Sequence, residues 1–232
     1  MPGETPDYAR WNAETTIFPV TDLGELAVRL GSPITFDRRG DVLWWDDFEW
    51  SLNKWAAALY GTGAAAVVSS VEARNGRMSA LLTGGSDGAG AATLTHWHTF
   101  PVLSQLGFEV SFNLPQAIDN LRCGIFVRDG AVLTSYLIKW DDTTNLLQYA
   151  VAGGAFTTIA SGVALLPTGT LFHTVKLVVD AINGNFMLLI FDATEYDLSG
   201  IAGLAQADAT SPTVALGIEV YSNAGQNDKV YF

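Results

Sequence analysis

The sequence predicts an all-β protein, a sandwich or jelly roll, preceded by an extended arm and one short helix. Three observations support this fold class. Short apolar or alternating runs recur along most of the chain, separated by turn signals such as GGSDGAG, RDGA and INGN. The clearest helical periodicity lies in one short segment near the N-terminus. Hydrophobic residues make up 49% of the 232 residues and charged residues only 16%, so a large core can form.

The N-terminal region predicts an arm followed by a helix. Residues 1–20 are polar, contain three prolines and show no period. In the next segment, TDLGELAVRLGS, Asp22 can cap a helix, Glu25 completes a capping box and Gly31 ends it. The apolar stripe of this helix consists of Leu23, Leu26, Ala27 and Leu30. A helix of about ten residues is marginal alone, so this stripe should pack against another surface.

The rest of the chain predicts strands. A strand pair over PITFDRRGDVLWWDDFEW turns at residues 38–41. Alternation and turn signals predict further strands. These are Ala65–Ser70, Arg77–Leu82, Ala92–Trp97, Leu106–Leu114, Leu121–Arg128, Ser135–Trp140, Leu146–Ala150, Ala155–Ala160, Phe172–Asp180, Phe186–Asp192, Val214–Tyr221 and Lys229–Phe232. We therefore divide the chain into an N-terminal region, 1–45, and a β domain, 46–232.

Charge and composition argue against several classes of partner. The 12 basic and 24 acidic residues give a net charge of -12, which disfavours nucleic acid and anionic membranes. No apolar run approaches about 18 residues, and the N-terminus lacks the features of a signal peptide. We therefore expect synthesis in the cytoplasm, with no nucleic-acid or membrane partner. The single cysteine, Cys123, alternates with apolar residues and should be buried.

Four segments resemble the concanavalin A-like lectin/glucanase jelly roll, in its laminin-G-like branch. They are DDFEWSLNKW, LGFEVSFNLP, LFHTVKLVVDAINGNFMLLIFDATEYDLSG and NDKVYF. This resemblance implies a two-sheet antiparallel jelly-roll sandwich in which DDFEWSLNKW is the first strand. Residues 23–49 also resemble the start of phage virion proteins in which a short helix leads into a jelly roll. That second resemblance implies a capsid decoration or tail-associated protein, located in the virion, whose N-terminal region contacts neighbouring subunits.

Catalytic signatures are missing, so we expect a protein that is not an enzyme. The glucanases of this superfamily carry Glu-x-Asp-x-Glu along one strand, and the sequence lacks that motif. Asp47 and Glu49 could share a strand face, but a solvated strand start explains them better. His96 and His98 could begin a zinc site, yet the third histidine is distant in sequence. We expect no cofactor, with calcium as the one exception to consider.

Two kinds of ligand site are predicted. Laminin-G-like folds often bind calcium through loop oxygens, and WDDTTN supplies such donors at Asp141, Asp142 and Asn145. Turns also favour these residue types for backbone hydrogen bonds. Exposed aromatic rings can stack on the faces of sugars, and core packing is the alternative explanation for such rings. The carbohydrate-binding candidates are Trp97, Tyr136, Trp140 and Tyr149.

The strand at Phe186–Phe191 is apolar on both faces. Strict alternation would turn Phe186, Leu188 and Ile190 towards the core. It would leave Met187, Leu189 and Phe191 outside, and monomers rarely expose such a patch. The helix stripe of Leu23, Leu26 and Leu30, or a neighbouring subunit, could cover these side chains.

A surface that needs a protein cover favours a structural function. The main prediction is therefore a virion protein that acts through protein–protein contacts and self-associates into a homo-oligomer. The alternative is a carbohydrate-binding module that could depend on calcium, with a glycan as its partner. A third hypothesis is a glycan hydrolase with an unrecognised site.

Overall fold

The structure, a computed structural model, describes residues 42–88, 90–99 and 104–232. The chain divides into two units, Met1–Asp46 and Asp47–Phe232, and the fold below is that of the second unit. The predicted arm, the turn at residues 38–41 and the helix stripe of Leu23, Leu26 and Leu30 lie outside the described residues.

Fifteen strands and one 3₁₀ helix, Ala152–Gly154, form the described chain, which confirms the all-β prediction. The strands are β1 (Ala56–Tyr60), β2 (Ala65–Ser69), β3 (Ser79–Thr83), β4 (Ala91–His98), β5 (Gln105–Asn113), β6 (Asn120–Arg128), β7 (Val132–Asp141), β8 (Leu146–Ala150), β9 (Phe156–Ser161), β10 (Phe172–Asp180), β11 (Asn185–Phe191), β12 (Thr194–Asp197), β13 (Leu204–Ala207), β14 (Thr213–Tyr221) and β15 (Lys229–Tyr231). The short strands β1, β12 and β13 are absent from the sequence prediction. No helix among these described residues could cross a bilayer.

The strands form two antiparallel sheets, as predicted. The front sheet has the order β1-β4-β14-β6-β7-β8-β9, with β13 also paired to β7. The back sheet has the order β12-β11-β10-β5-β15-β3-β2. In both sheets, strands distant in sequence lie side by side, as where β14 pairs with β4 and β6. This crossing connectivity brings together the residues of the candidate site.

The core lies between the two sheets and follows the period-two alternation of the strands. On β10 the alternating apolar residues Val175, Leu177 and Val179 are buried. Tyr136 of β7 packs edge-on against Phe186 of β11, with ring centres 5.4 Å apart, and so links the front and back sheets. Burying a large apolar side chain contributes about 1.5–3 kcal/mol, so these interior rows dominate the stability of the fold.

A β-bulge interrupts the ladder between β10 and β11. Val178 pairs with Leu188, but the next residue, Val179, pairs with Phe186. Met187 is therefore the extra residue on β11, opposite no single partner. A bulge of this kind shifts the alternation of every residue on one side of it.

This shift changes which side chains of β11 face outward, so the predicted outward set is corrected. Leu189 and Phe191 are 0% and 4% exposed and lie in the core. They therefore cannot form the predicted subunit contact, whereas Met187 is half-buried. The half-buried side chains of β11 are Asn185, Met187, Leu188 and Ile190. The expectation of a patch made of Met187, Leu189 and Phe191 is wrong because alternation alone does not reveal a bulge.

Residues 46–55, predicted as the first strand, form an irregular segment with bends and a turn instead. Phe48 has a positive φ of 58° there, which a regular strand does not allow. The carboxylate of Glu49 accepts hydrogen bonds from the backbone N–H groups of Met78 at 2.9 Å and Arg77 at 2.6 Å, and these bonds lower the pKa of Glu49. Glu49 thus anchors this loop to the segment before β3, a structural use of the carboxylate.

Candidate functional site

The outer face of the front sheet holds the candidate site, and the strand register explains how it is built. On β14, Ile218 and Val220 are fully buried, so the alternate residues Glu219 and Tyr221 point outward. Pairing with β6 places Arg122 beside Glu219. Each of these polar side chains interrupts an otherwise apolar strand because its own face of the sheet is not covered by the core.

Two rows of side chains cross this outer face. The polar row contains Thr93, Glu219, Arg122, Lys139 and Gln148, from β4, β14, β6, β7 and β8. The tyrosine row, one step along the strands, contains Tyr60, Ala91, Tyr221 and Asn120, from β1, β4, β14 and β6. Aromatic rings and hydrogen-bonding groups therefore lie next to each other on one surface.

A groove of about 520 Å³ runs over β1, β4 and β14. Its lining residues are Ala58, Tyr60, Ala91, Thr93, Thr95, Glu219 and Tyr221. Alanine and threonine make its floor low, while Tyr60 stands out from it with 59% of its surface exposed. The groove is within the size range of small-molecule sites, roughly 300–1,000 Å³, and combines aromatic and polar walls in the way such sites do.

Arg122 is held in a fixed position beside the groove. Its guanidinium carbon lies 3.8 Å from the ring centre of Tyr221 and 5.1 Å from that of Phe156. Its Nε also donates a hydrogen bond to Asn120 Oδ1 at 2.9 Å. A guanidinium stacked on aromatic faces keeps its edge free for hydrogen bonds while its orientation is restrained.

Glu219 is the carboxylate among the groove-lining residues. Burial raises its pKa, although the charge of Arg122 and a hydrogen bond from the Tyr221 hydroxyl act in the opposite direction. Burial likewise raises the pKa of Tyr221. The groove thus offers a partly desolvated acceptor, a phenol and the hydroxyl groups of two threonines, all of which can exchange hydrogen bonds with a hydroxylated ligand.

Trp97 lies on the same face, two residues beyond Thr95 along β4, and is 47% exposed. The guanidinium carbon of Arg128 lies 4.8 Å from the centre of its ring. Arg128 in turn pairs with Asp208, Nε to Oδ2, at 2.8 Å. Hydrogen bonds from Thr210 and Arg128 lower the pKa of Asp208 to about 2, so this ion pair persists at neutral pH.

The other predicted carbohydrate-binding residues do not lie with Trp97 on the outer face of the front sheet. Tyr136 and Trp140 are 0% and 2% exposed and belong to the core. The indole Nε1 of Trp140 donates to the Val163 carbonyl at 2.8 Å. Tyr149 is half-buried, and its ring centre lies 5.9 Å from that of Phe186. These three side chains face the interior because their alternation places them with Ile138, opposite the polar row.

The predicted calcium ligands lie at the turn between β7 and β8, where the two aspartates accept hydrogen bonds from protein groups. Asp141 accepts hydrogen bonds from the N–H and hydroxyl of Thr144 and from Lys139 Nζ; burial works to raise its pKa, but these bonds lower it. Asp142 accepts the N–H of Ile118 at 2.9 Å, and burial raises its pKa. Asn145 adopts a positive φ of 54°. Calcium binding here stays a prediction.

The three histidines do not converge on one point. His96 and His98 have ring centres 4.3 Å apart, and Nδ1 of His96 lies 2.7 Å from the carbonyl oxygen of Lys54. His173 belongs to the back sheet, where its Nδ1 is 2.7 Å from Asp192 Oδ2. Across residues 42–88, 90–99 and 104–232, no group of three or more histidine, cysteine, aspartate or glutamate side chains is arranged to hold a metal ion.

None of the residues that line the groove was predicted from the sequence. The missed residues include Tyr60, Glu219 and Tyr221 of the lining and, beside the groove, Arg122 and Phe156. A local signal does exist, because LRCGIFVR and LGIEVY each place a charged residue inside an apolar strand. What the sequence does not reveal is that these strands are neighbours, since β6 and β14 are about 90 residues apart and pair only through the sheet topology.

Comparison with known proteins adds structural similarity only. No family model matches the sequence, and no curated protein matches it. Solved structures do match the fold. The potassium-bound carbohydrate recognition domain of Emp46p matches at 10% identity and a TM-score of 0.49, over 81% of this chain and 95% of that one.

Two further solved structures also match the fold. The carbohydrate-binding module CBM66 from Bacillus subtilis matches at 13% identity and a TM-score of 0.42, over 77% of this chain and 93% of that one. The endo-β-1,4-glucuronan lyase from the fungus Trichoderma reesei matches at 14% identity and a TM-score of 0.49, over 78% of this chain and 89% of that one. At these identities the similarity concerns the β-sandwich fold.

The prediction of a virion structural protein is corrected by these comparisons. By their names, the solved structures of similar fold include carbohydrate-binding modules, a carbohydrate recognition domain and a lyase. They do not support the predicted lattice partners or self-association. The prediction from the sequence relied on an apolar outer face of β11. Because of the bulge, two of the three side chains assigned to that face lie in the core.

Proposed function

We propose that this protein is a non-catalytic carbohydrate-binding module that binds its glycan in the groove on the outer face of the front sheet. The observation that carries the proposal is the joining of an exposed tyrosine ring, a half-buried tyrosine ring and fixed hydrogen-bonding groups along one groove. Tyr60 and Tyr221 supply the rings, and Glu219 with the threonines of β4 supplies the polar contacts.

The chemistry of a sugar fits this combination. A pyranose ring has an apolar face of C–H groups, which packs on an aromatic ring, and a rim of hydroxyls, which needs both donors and acceptors. Tyr60 exposes the ring surface, and Glu219 supplies an acceptor whose partial burial strengthens each hydrogen bond it accepts. Arg122, stacked on Tyr221, supplies directed N–H donors next to that carboxylate.

Binding rather than catalysis is supported by the arrangement of carboxylates. Most glycoside hydrolases place two carboxyl groups on either side of the scissile bond. Glu219 is the one carboxylate among the groove-lining residues of the described chain. Asp141, on the same face, already accepts hydrogen bonds from Lys139 and Thr144. The groove therefore has an acceptor for a ligand hydroxyl but no opposed acid and base.

A glycan array followed by isothermal titration calorimetry tests this proposal. The key variant is Tyr60→Ala, which removes an exposed ring from the groove. The matched control is Leu59→Ala, which truncates the adjacent residue of β1, directed to the other side of the strand and 48% exposed. Losing a central aromatic contact costs at least about 1.4 kcal/mol, so Tyr60→Ala should weaken binding by about tenfold or more.

The control variant should keep the wild-type affinity. Equal affinities of wild type and Tyr60→Ala for every glycan that binds would contradict the proposal, as would an array without any binding. Repeating the titration in excess EDTA tests the separate prediction of calcium dependence, since bound calcium would make the affinity fall on chelation.

A further inference from the structure

We infer that the groove binds an uncharged glycan as an extended chain, which lies along β4 and β14 from Tyr60 and Tyr221 to Trp97. This inference rests on the proposed function. Three features of the outer face lead to this inference: its length between aromatic side chains, the low side chains between them, and the pairing of its charges.

The aromatic side chains mark the two ends of the binding surface. Ala91 and Trp97 lie on the same face of β4, six residues apart. Ala91 marks the tyrosine end, because it pairs with both Tyr60 and Tyr221. At about 3.3 Å per residue this separation is about 20 Å, much longer than one sugar ring. An aromatic platform at each end suits a ligand of several linked sugars, because a single sugar could reach only one of them.

The surface between these ends is low. Thr95 of β4 pairs with Gly217 of β14, which pairs with Gly124 of β6, and all three lie on the outer face. Phe126 leans over Gly217, so that a Cβ atom added at that glycine would meet the Phe126 ring at 2.8 Å. On this face of β4 only Thr93 and Thr95 lie between Ala91 and Trp97, so a chain lying along β4 meets no large side chain of that strand before Trp97, with Glu219 and the Phe126 ring beside its path.

The cations of this face are already matched by acidic or amide groups. Arg128 pairs with Asp208 at 2.8 Å, and Lys139 pairs with Asp141 at 3.1 Å. Arg122 donates to Asn120 and pairs across the strands with Glu219, whose pKa burial raises while the Arg122 charge acts against that rise. A glycan rich in uronic acid or sulfate would have to break these pairs and approach a protein of net charge -12. An uncharged glycan avoids both costs.

The test is calorimetry with two graded series of oligosaccharides, each from disaccharide to hexasaccharide. One series is uncharged, comprising gluco-, xylo- and manno-oligosaccharides, and the other is made of uronic acids. We expect binding to the uncharged series to tighten with length until the ligand spans the groove. Binding to the uronic-acid series should be at least about tenfold weaker at equal length.

Trp97→Ala tests the far end of the chain. This variant should lose about tenfold or more in affinity for the hexasaccharide and keep the wild-type affinity for the disaccharide. Trp50→Ala, which removes a 93% exposed tryptophan outside the groove, is the matched control and should change neither affinity.

The outcomes separate this inference from the proposed function. Binding that depends on Tyr60 but does not tighten with length, or is unaffected by Trp97→Ala, would overturn the extended mode alone. Preference for the uronic-acid series, with an affinity that falls as salt is raised, would overturn the uncharged ligand alone. No binding to either series or to any arrayed glycan would overturn both this inference and the proposed function.

Discussion

Two neighbouring glycines on the binding face should respond very differently to alanine substitution. Gly124 and Gly217 pair across β6 and β14, and neither has a positive φ. A Cβ atom at Gly124 would lie 2.5 Å from the carbonyl oxygen of Tyr136 and 3.1 Å from Cα of Leu137, both backbone atoms of β7. At Gly217 the near atoms all belong to the Phe126 ring, the closest at 2.8 Å.

The size of each effect follows from which atoms must move. Real Cβ atoms essentially never approach closer than 3.0 Å, so Gly124→Ala must shift the centre of the sheet by at least 0.5 Å. Overpacking of this kind destabilises the fold by about 1–3 kcal/mol. Replacing glycine by alanine also restricts the unfolded chain, and this effect stabilises the fold by about 0.4–1 kcal/mol. Gly217→Ala needs only a rotation of the Phe126 side chain. The same restriction of the unfolded chain should then leave the stability of this variant within about 1 kcal/mol of wild type.

Urea unfolding followed by tryptophan fluorescence measures both variants. We expect a clearly lower midpoint for Gly124→Ala, an unchanged slope for both variants and a midpoint near wild type for Gly217→Ala. Equal midpoints for the two variants, or a larger loss for Gly217→Ala, would refute the reasoning that backbone contacts and side-chain contacts differ in cost at this site.

Two further predictions concern buried titratable groups. Burial raises the pKa of the Cys123 thiol to about 12, so a thiol-specific dye at about pH 8 should react only after urea unfolds the protein; fast labelling of the folded protein would contradict this. Burial acts to raise the pKa of Asp192, but hydrogen bonds from His173 and the Thr174 N–H lower it overall. Asp192 therefore stabilises the fold above its unfolded pKa of about 3.8, and this contribution fades as pH falls through the lower folded value. The loss of stability in Asp192→Asn should accordingly be largest near neutral pH and shrink in acid, whereas a loss that stays constant with pH would exclude this linkage.

The strands and their inward faces could be predicted from the sequence because period-two alternation is a local signal. The predicted strand Phe172–Asp180 shows this, since its alternating residues Val175, Leu177 and Val179 form the buried face in the structure. The failure on β11 has an equally local cause. One extra residue, Met187, shifts the alternation, and the sequence FMLLIF is apolar at every position, so no polar residue marks the shift.

The candidate site could be predicted only in part, because it is assembled from strands that are distant in sequence. Trp97 was recognisable as an exposed aromatic candidate, and it does lie on the outer face of the front sheet. Tyr60 was missed because β1 is a short strand of five residues without clear alternation. Glu219 and Arg122 could have been noted as polar interruptions, but their contact depends on β14 lying between β4 and β6.

A glycan site on the outer face of the front sheet is tested most directly by amide chemical-shift mapping by NMR during titration with the best uncharged oligosaccharide. We expect the largest shifts on β1, β4, β14 and β6, at and beside Tyr60, Thr95, Trp97 and Glu219, with the back sheet unchanged. Shifts confined to the back sheet, or to the turn at Asp141–Asn145, would contradict a glycan site on the outer face of the front sheet.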